Sequence, residues 1–361
     1  MKQEPFEGAL VRIHGRGAVS NPANRFEPIE YVPDLDQFDP DEPPPRTQLF
    51  KDATKQILAR NNSPDVGFNV SINPYRGCEH GCVYCFARPT HEYFGLSLGL
   101  DFETKIFVKQ DAPKLLRAEL MKKSWTPQVI AMSGVTDCYQ PVERKLRITR
   151  GCLEVLAEFR NPVILITKNH LITRDVEILA DMASWNGAGV SISVTSLRND
   201  IQRVMEPRTS RPAKRLEAIE KLAKAGVPVN VMVAPIVPGL TDEETPAILK
   251  AAADAGAVGA GYVILRLPFE VKQLVEDWLS VHFPDRKDKV LNRVRAMRNG
   301  ELYESKWGVR QRGDGIFADQ IEALFDTTCR KLGLNQEFRN RKLETGEFRR
   351  PEVQGPQLSL L

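Results

Sequence analysis

The sequence predicts an α/β fold, an open and partial (β/α)6 barrel of the TIM-like kind. Short β-branched runs alternate with amphipathic stretches from about residue 66 onward, and each kind of segment recurs six times. Residues typical of helix ends lie between these segments. Six strand–helix units are too few to close an eight-stranded barrel at ordinary strand tilt. We therefore expect parallel strands in an incomplete barrel.

The elements are expected in strict alternation. The strands are expected at 67–72, 129–133, 163–167, 190–195, 228–235 and 258–265. The helices are expected at about 112–123, 145–160, 173–185, 212–225, 243–255 and 268–281. Pro212 suits a first helical turn, and Gly226 suits the position just past a helix end. Thr241 and Glu244 have the spacing of a capping box.

Two strands have one polar face each. In the fourth strand Ser191, Ser193 and Thr195 alternate with apolar residues, and in the fifth strand Asn230 lies among valines. With the period of two that strands have, the polar side chains share a face. Such groups are costly to bury without partners, so we expect them to face a barrel interior that holds a polar ligand.

The segments outside the barrel differ in composition. An acidic run and three consecutive prolines oppose compact structure near the N-terminus, and net charge is −3 over the first 65 residues and +5 over 285–350. We divide the chain into an irregular N-terminal extension (1–65), a barrel core (66–284), a basic and mostly helical C-terminal region (285–350, with a helix at 316–331) and a tail (351–361).

The composition excludes several classes of protein. Of the 361 residues, 42% are hydrophobic and 27% are charged, which excludes a coiled coil, a collagen-like fibre and a fully disordered chain. No run of about 18 apolar residues could cross a bilayer, and the first residues do not read as a signal peptide. We therefore expect a cytoplasmic protein, where thiols stay reduced. Its six cysteines are then expected to be ligands, catalysts or core residues.

Three of these cysteines lie close together directly after the first predicted strand. Cys78, Cys82 and Cys85 lie in the segment Gly-Cys-Glu-His-Gly-Cys-Val-Tyr-Cys, at the strand end that carries the chemistry of parallel α/β folds. Structural zinc takes four protein ligands, and an electron-carrying iron–sulfur cluster usually takes four cysteines. Three cysteines leave one iron of a 4Fe–4S cluster open. The alternatives are zinc with His80 as fourth ligand and a redox dithiol of Cys82 and Cys85.

The spacing Cys-x-x-x-Cys-x-Tyr-Cys resembles the radical S-adenosylmethionine (SAM) superfamily over about 67–267. The flanking residues, from Asn73 to Arg88, resemble the spore photoproduct lyase-like subgroup, whose members are often called DNA repair photolyases. The resemblance implies a partial barrel of the radical SAM type, a 4Fe–4S cluster on the three cysteines, and SAM on the open iron. It also implies reductive cleavage of SAM to a 5′-deoxyadenosyl radical, and a low-potential electron donor of the flavodoxin or ferredoxin type.

The resemblance also implies roles for residues at the other strand ends. Tyr84 would lie beside the adenine, Ser133 and Thr136 near the amino group of SAM, and Lys168 at its carboxylate. The remaining candidates are Ser193 and Thr195 for the methionine or ribose, Arg208 for a carboxylate, and 234–239 for the adenine.

One position departs from the subgroup. Photoproduct lyase has a hydrogen-atom-donating cysteine near the end of strand two, where this chain has Gly134. Cys138 follows shortly after, either as a displaced catalytic donor or as a packing residue. Cys152 and Cys329 lie among apolar helix residues and are expected in the core. The resemblance alone therefore does not imply repair of thymine dimers.

The substrate has two candidate classes. A net charge of +3 is too small to argue for nucleic acid by itself. Trp307, Arg310 and Arg312 lie in a glycine-rich loop that could stack a base and hold phosphate, or could form a lid or a salt-bridged loop. We expect a radical SAM enzyme that acts either on a nucleic acid or on a peptide or small metabolite. A non-catalytic metal-binding protein is the further alternative.

Overall fold

A computed structural model describes residues 13–27, 45–336 and 342–352. The described residues form ten strands: β1 (Gln48–Lys51), β2 (Leu58–Arg60), β3 (Val70–Ile72), β4 (Tyr75–Arg76), β5 (Lys105–Val108), β6 (Ile130–Met132), β7 (Val163–Thr167), β8 (Ala188–Ser193), β9 (Val229–Ile236) and β10 (Gly259–Ile264). They also form twelve α-helices: α1 (Leu100–Thr104), α2 (Ala112–Met121), α3 (Glu143–Leu146), α4 (Ile148–Glu158), α5 (Val176–Ser184), α6 (Asn199–Met205), α7 (Pro212–Lys224), α8 (Thr245–Asp254), α9 (Val271–His282), α10 (Pro284–Ala296), α11 (Val309–Arg312) and α12 (Ile316–Lys331).

The main sheet confirms the predicted partial barrel. Its seven strands run in the order β10-β9-β8-β7-β6-β3-β2. The six predicted strands pair parallel to one another, and β2 adds to the edge of β3 in antiparallel orientation. Because the strands are parallel, their carboxyl ends meet on one side of the sheet, where the loops carry the candidate site residues.

Polar side chains of the fourth and fifth predicted strands meet at one position. Ser191 of β8 lies in register with Asn230 of β9, and the Asn230 amide donates to Ser191 Oγ at 3.2 Å. Strand β8 begins earlier than predicted and ends at Ser193, so Thr195 lies just beyond the strand.

Two of the three predicted helix-end signals are confirmed. Pro212 is the first residue of α7, and Gly226 follows the helix with a φ of +79°. The capping box at Thr241 is wrong. Thr241 Oγ1 accepts from the backbone N–H of Val237, and the Glu244 carboxylate accepts from Ser196 Oγ. These contacts tie the loop after β9 to the loop after β8 instead of capping α8.

The N-terminal extension contains regular structure that composition did not predict. Strands β1 and β2 both lie within it, and β1 pairs with β5 in a second sheet of order β1-β5-β4. Residues 13–27 lie against the core without strands or helices. The acidic run at 34–42 lies outside the described residues. The extension is therefore not irregular throughout.

Two hydrophobic cores position the site. One fills the space between the main sheet and its helices. The other packs Trp278 of α9 with residues of α10 and brings Ala18 of the N-terminal segment to Val83 of the cysteine loop. Trp278 Nε1 also donates to the carbonyl of Val204 at 3.0 Å. The second core therefore anchors the N-terminal segment and the cysteine loop to the same helices.

The C-terminal region is mostly helical among its described residues. Helices α10, α11 and α12 account for most of 284–336, and α12 has the bounds predicted from the sequence. The buried face of α12 packs in the main core and includes Ala318, Ile321 and Phe325. The tail beyond residue 352 lies outside the described residues. No helix in the described part of the chain is long and apolar enough to cross a membrane.

Candidate active site

The three cysteines of the motif lie on one loop after β4. Cys78 and Cys82 are buried, Cys85 is half-buried, and all three are free thiols. The backbone N–H of Cys78 donates to the Phe102 carbonyl at 2.9 Å, which fixes the start of the loop against α1. The loop is therefore a fixed part of the fold.

Close backbone approaches require glycine at two places around this loop. Gly81 has a φ of +64°, and a Cβ there would lie 2.7 Å from Glu103 Oε2. A Cβ on Gly17 would lie 1.8 Å from the Gly81 carbonyl oxygen, so no larger residue fits without moving the backbone. The N-terminal segment thus touches the cysteine loop directly.

A buried ion pair supports the loop from behind. Arg88 and Glu103 are both fully buried, and Arg88 Nη2 lies 2.5 Å from Glu103 Oε1. Arg88 Nε donates to the Cys82 carbonyl at 2.9 Å, and Glu103 accepts from the backbone N–H groups of Gly17 and Ala18. This pair therefore links the cysteine loop, α1 and the N-terminal segment.

His80, the fourth ligand of the zinc alternative, is held by neighbouring side chains. No group of three or more His, Cys, Asp or Glu side chains in the described ranges, the three motif thiols included, is arranged around a single metal position. His80 Nδ1 lies 3.3 Å from Asp137 Oδ2, and His80 Nε2 lies 3.1 Å from Asn169 Nδ2. Both ring nitrogens are therefore engaged by neighbours, which argues against the zinc alternative.

Burial raises the pKa of all three motif thiols above the ordinary value, and neighbouring acidic groups add to this for Cys78 and Cys82. Metal binding needs the thiolate, so a bound metal has to compensate for this burial.

Asp137 organises the ends of the second and third barrel strands. Its carboxylate accepts from the Thr167 hydroxyl and the Lys168 N–H, each at 2.8 Å. Burial would raise the pKa of Asp137, but His80 and these donors together lower it to about 2. Asp137 is therefore an anion that holds the loop carrying Lys168. No motif in the sequence indicates this role.

Glu206 brings together two of the residues predicted to bind SAM. The Tyr84 hydroxyl donates to Glu206 Oε1, and Thr195 Oγ1 donates to the same oxygen at 2.7 Å. Glu206 also forms a buried ion pair with Arg215. Burial opposes ionisation of Glu206, but Arg215 and then Lys168 lower its pKa. Sequence reasoning missed Glu206, because a single acidic residue carries no motif.

Lys168 lies beside this network. Its ammonium is 5.9 Å from the centre of the Tyr84 ring, and it is half-buried. It has no ion pair or side-chain hydrogen bond among the described residues. An unpaired cation at this place has charge available for an anionic group of a ligand.

Ser133, Thr136 and Ser193 are placed at the predicted strand ends. Ser133 Oγ accepts from the Cys138 N–H at 2.8 Å, and Thr136 Oγ1 donates to the Tyr75 carbonyl at 2.9 Å. Ser193 is buried, and its carbonyl accepts from Arg215 at 3.0 Å. The hydroxyls of Ser133 and Thr136 thus shape their own loop, so their roles toward SAM stay predictions.

Arg208 points away from the Glu206 network. It forms an ion pair with Glu79 at 3.1 Å and donates to Thr47 Oγ1 at 3.2 Å. Its guanidinium is therefore already paired with a carboxylate. The sequence predicts Arg208 as a group that binds the carboxylate of a ligand.

The other cysteines lie in the core. Cys138, Cys152 and Cys329 are all buried, and burial strongly raises the pKa of Cys138. The core positions predicted for Cys152 and Cys329 are confirmed. Cys138 packs in the main core next to Tyr139, which fits the packing alternative and gives no support to a hydrogen-atom donor.

The arginine-rich loop before α12 is salt-bridged. Arg310 pairs with Asp65 and donates to Ser63, while its guanidinium lies 5.0 Å from the centre of the Trp307 ring. Arg312 lies over Tyr262 at 3.9 Å. The salt-bridged alternative is therefore confirmed, and Asp65 neutralises the charge of Arg310.

Comparison with known proteins identifies the family. The family model described as the radical SAM superfamily matches residues 72–252, half of the chain. An uncharacterised protein of Mycobacterium tuberculosis is 35% identical over 226 residues, which are 62% of this chain and 66% of the relative. An uncharacterised protein of Methanocaldococcus jannaschii is 27% identical over 199 residues, which are 55% of this chain and 71% of that protein. The match thus spans just under two thirds of the mycobacterial relative.

Solved structures share the fold. Spore photoproduct lyase complexed with a dinucleoside spore photoproduct superposes with a TM-score of 0.57 at 14% sequence identity. The superposition covers 79% of this chain and 80% of that chain. At this identity the likeness shows the architecture alone.

Proposed function

The chain belongs to the radical SAM superfamily, and from this membership we propose that it cleaves SAM reductively and abstracts hydrogen from a substrate. Its cofactors are those of the superfamily, a 4Fe–4S cluster and SAM. The proposal assigns the cluster to Cys78, Cys82 and Cys85. The three free thiols on one glycine-supported loop, at the spacing Cys-x-x-x-Cys-x-Tyr-Cys, are the observation that carries it.

The cofactors supply the redox chemistry and the protein supplies binding and orientation. Bound by Cys78, Cys82 and Cys85, a reduced cluster would supply one electron for cleavage of SAM to methionine and a 5′-deoxyadenosyl radical, which would abstract a hydrogen atom from the substrate. The remaining requirements fall on side chains: three thiolates for the cluster, a cation for a carboxylate, and a site closed to water.

Four side chains near the cysteine loop are suited to bind and orient SAM. Lys168 offers an unpaired charge for the SAM carboxylate. Glu206 holds the Tyr84 ring and the Thr195 hydroxyl in place, so that both can contact the adenosine half of SAM. The Arg215 ion pair fixes Glu206 in turn. We propose that Tyr84, Lys168 and Thr195 bind SAM and that Glu206 is a positioning residue.

Electron paramagnetic resonance tests this arrangement. The anaerobically reconstituted and reduced chain should give the signal of a reduced 4Fe–4S cluster, and added SAM should change that signal by binding the open iron. A signal unchanged by saturating SAM contradicts the proposal.

Replacing Lys168 with methionine should weaken SAM binding without removing the cluster. A charge-assisted hydrogen bond contributes about 1.5–3 kcal/mol, so the SAM concentration that gives half of the spectral change should rise roughly 10- to 100-fold. Lys214→Met is the matched control, because Lys214 is exposed and, in the described part of the chain, forms an ion pair with the surface residue Glu217 alone. Equal affinities in the two variants would show that Lys168 does not bind SAM.

The salt dependence of oligonucleotide binding distinguishes a nucleic-acid substrate from a peptide or small metabolite. Phosphate contacts release counterions, so a nucleic-acid substrate predicts that log Kd for a single-stranded oligonucleotide varies linearly with log salt concentration. A peptide or small-metabolite substrate predicts no saturable oligonucleotide binding at any salt concentration. The measurement is fluorescence anisotropy of a labelled oligonucleotide on the cluster-loaded chain.

We also propose a flavodoxin or ferredoxin as the electron donor, because the cluster needs a low-potential one-electron reductant.

A further inference from the structure

A cavity of about 480 Å³ opens beside the cysteine loop. Its walls come from four separate parts of the chain, and the described residues that line it are His14, Gly15, Arg16, Pro45, Arg46, Thr47, Glu79 and Arg208. Glu79 directly follows Cys78, and the backbone N–H of Arg208 donates to the carbonyl of His80. The cavity is therefore adjacent to the proposed cluster, and its volume suits a small ligand.

The cavity carries excess positive charge. Arg16, Arg46 and Arg208 contribute three guanidinium groups against the single carboxylate of Glu79 among the described lining residues. Burial lowers the pKa of Arg16, and the nearby Arg208 lowers it further. Arg16 donates to the carbonyls of Glu103 and Pro45, and Arg208 pairs with Glu79. The two guanidinium groups still repel each other, so a bound anion would stabilise the arrangement.

Glu79 adds a second recognition element. Its Oε1 accepts from Thr47 Oγ1 at 2.7 Å and from Arg208, whereas its buried Oε2 has no hydrogen-bond partner among the described residues. A buried carboxylate oxygen without a donor is costly, so rotation of the Glu79 side chain toward the cavity would let this oxygen accept from a ligand. The ligand must then have a hydroxyl or similar donor close to its anionic group.

We propose that this cavity binds the phosphate of a substrate that carries a hydroxyl group near that phosphate. Two excess positive charges match a phosphate dianion, and the guanidinium fork suits its oxygens. Glu79 Oε2 accepts from the sugar-like hydroxyl. The inference rests on the proposed function, since it places the substrate next to the cluster. Of the residues proposed or predicted to bind SAM, only Arg208 lines the cavity.

Ribose 5-phosphate, inorganic phosphate and ribose are the probes for calorimetric titration of the cluster-loaded full chain without reductant. Ribose 5-phosphate should bind at least about tenfold more tightly than phosphate, and ribose should not bind. Arg46→Ala should weaken ribose 5-phosphate binding by about tenfold or more, and because Arg46 is exposed its removal should leave the fold intact. Arg330→Ala, on the exposed end of α12, should leave binding unchanged.

Glu79→Gln should reduce the preference for ribose 5-phosphate over inorganic phosphate, because an amide oxygen accepts more weakly than a carboxylate. Phosphate itself should bind this variant as tightly as the wild type or more tightly. Retained cluster content in each variant shows that it has folded.

Three results would overturn the proposal. They are absence of saturable ribose 5-phosphate binding, equal effects of Arg46→Ala and Arg330→Ala, and displacement of ribose 5-phosphate by SAM, which would make the cavity part of the SAM site. Displacement by a 5′-phosphorylated oligonucleotide would assign the phosphate to a nucleic acid, and its absence would assign it to a free sugar phosphate. Because no step needs SAM cleavage, failure here is separate from failure of the proposed function.

Discussion

Alanine at Cys78, Cys82 or Cys85 is expected to remove the cluster. Iron and acid-labile sulfide should fall from about four of each per chain to near zero, since a cluster held by only three protein thiolates loses a third of its anchors. The measurement is iron and sulfide content after anaerobic reconstitution. The visible absorption of the cluster should disappear with them.

Cys138→Ala is the matched control for this series. Cys138 is a buried free thiol like Cys78 and Cys82, but it lies in the main core and not on the loop. It should retain full iron content. Retention of iron in Cys82→Ala, or one zinc per chain in the wild type, would contradict the assignment of the ligands.

Arg88→Met is expected to destabilise the fold strongly. Removing one partner of a buried ion pair leaves the other charge uncompensated, which lowers the free energy of unfolding by about 3–5 kcal/mol. Glu103 would keep its contacts with Gly17 and Ala18 but lose its cation. Urea unfolding of the chain without its cluster measures the effect, so that loss of stability is seen separately from loss of metal.

Arg117→Met provides the comparison on the surface. Arg117 pairs with Glu158, and both side chains are exposed, so this substitution should lower the free energy of unfolding by less than about 1 kcal/mol. If both substitutions lower the free energy of unfolding equally, the buried Arg88–Glu103 pair does not stabilise the cysteine loop.

The repeating elements could be predicted from sequence because their signals are local. The six parallel strands and the helices between them follow from periodicity and helix-end residues, and α12 was predicted with its observed bounds. The second sheet could not be predicted in this way. Strand β1 pairs with β5 more than fifty residues away, and nothing in its four-residue sequence indicates that partner.

Some residues of the candidate site could likewise be predicted from sequence, and others could not. The three cysteines lie within eight consecutive residues of the sequence, so their spacing alone indicates their chemistry. Glu206, Asp137 and Glu79 are single acidic residues whose importance comes from donors on other strands and loops. Arg208 was predicted to bind a ligand carboxylate, but in the fold its charge pairs with Glu79. That pairing could not be predicted from sequence.

The central claim, reductive cleavage of SAM at the three-cysteine loop, is tested most directly by measuring 5′-deoxyadenosine. Anaerobic, cluster-loaded protein is reduced with dithionite, mixed with SAM and analysed by chromatography beside Cys82→Ala. We expect 5′-deoxyadenosine from the wild type and none from the variant. Its absence from fully loaded wild type, or equal amounts from both proteins, would contradict the claim.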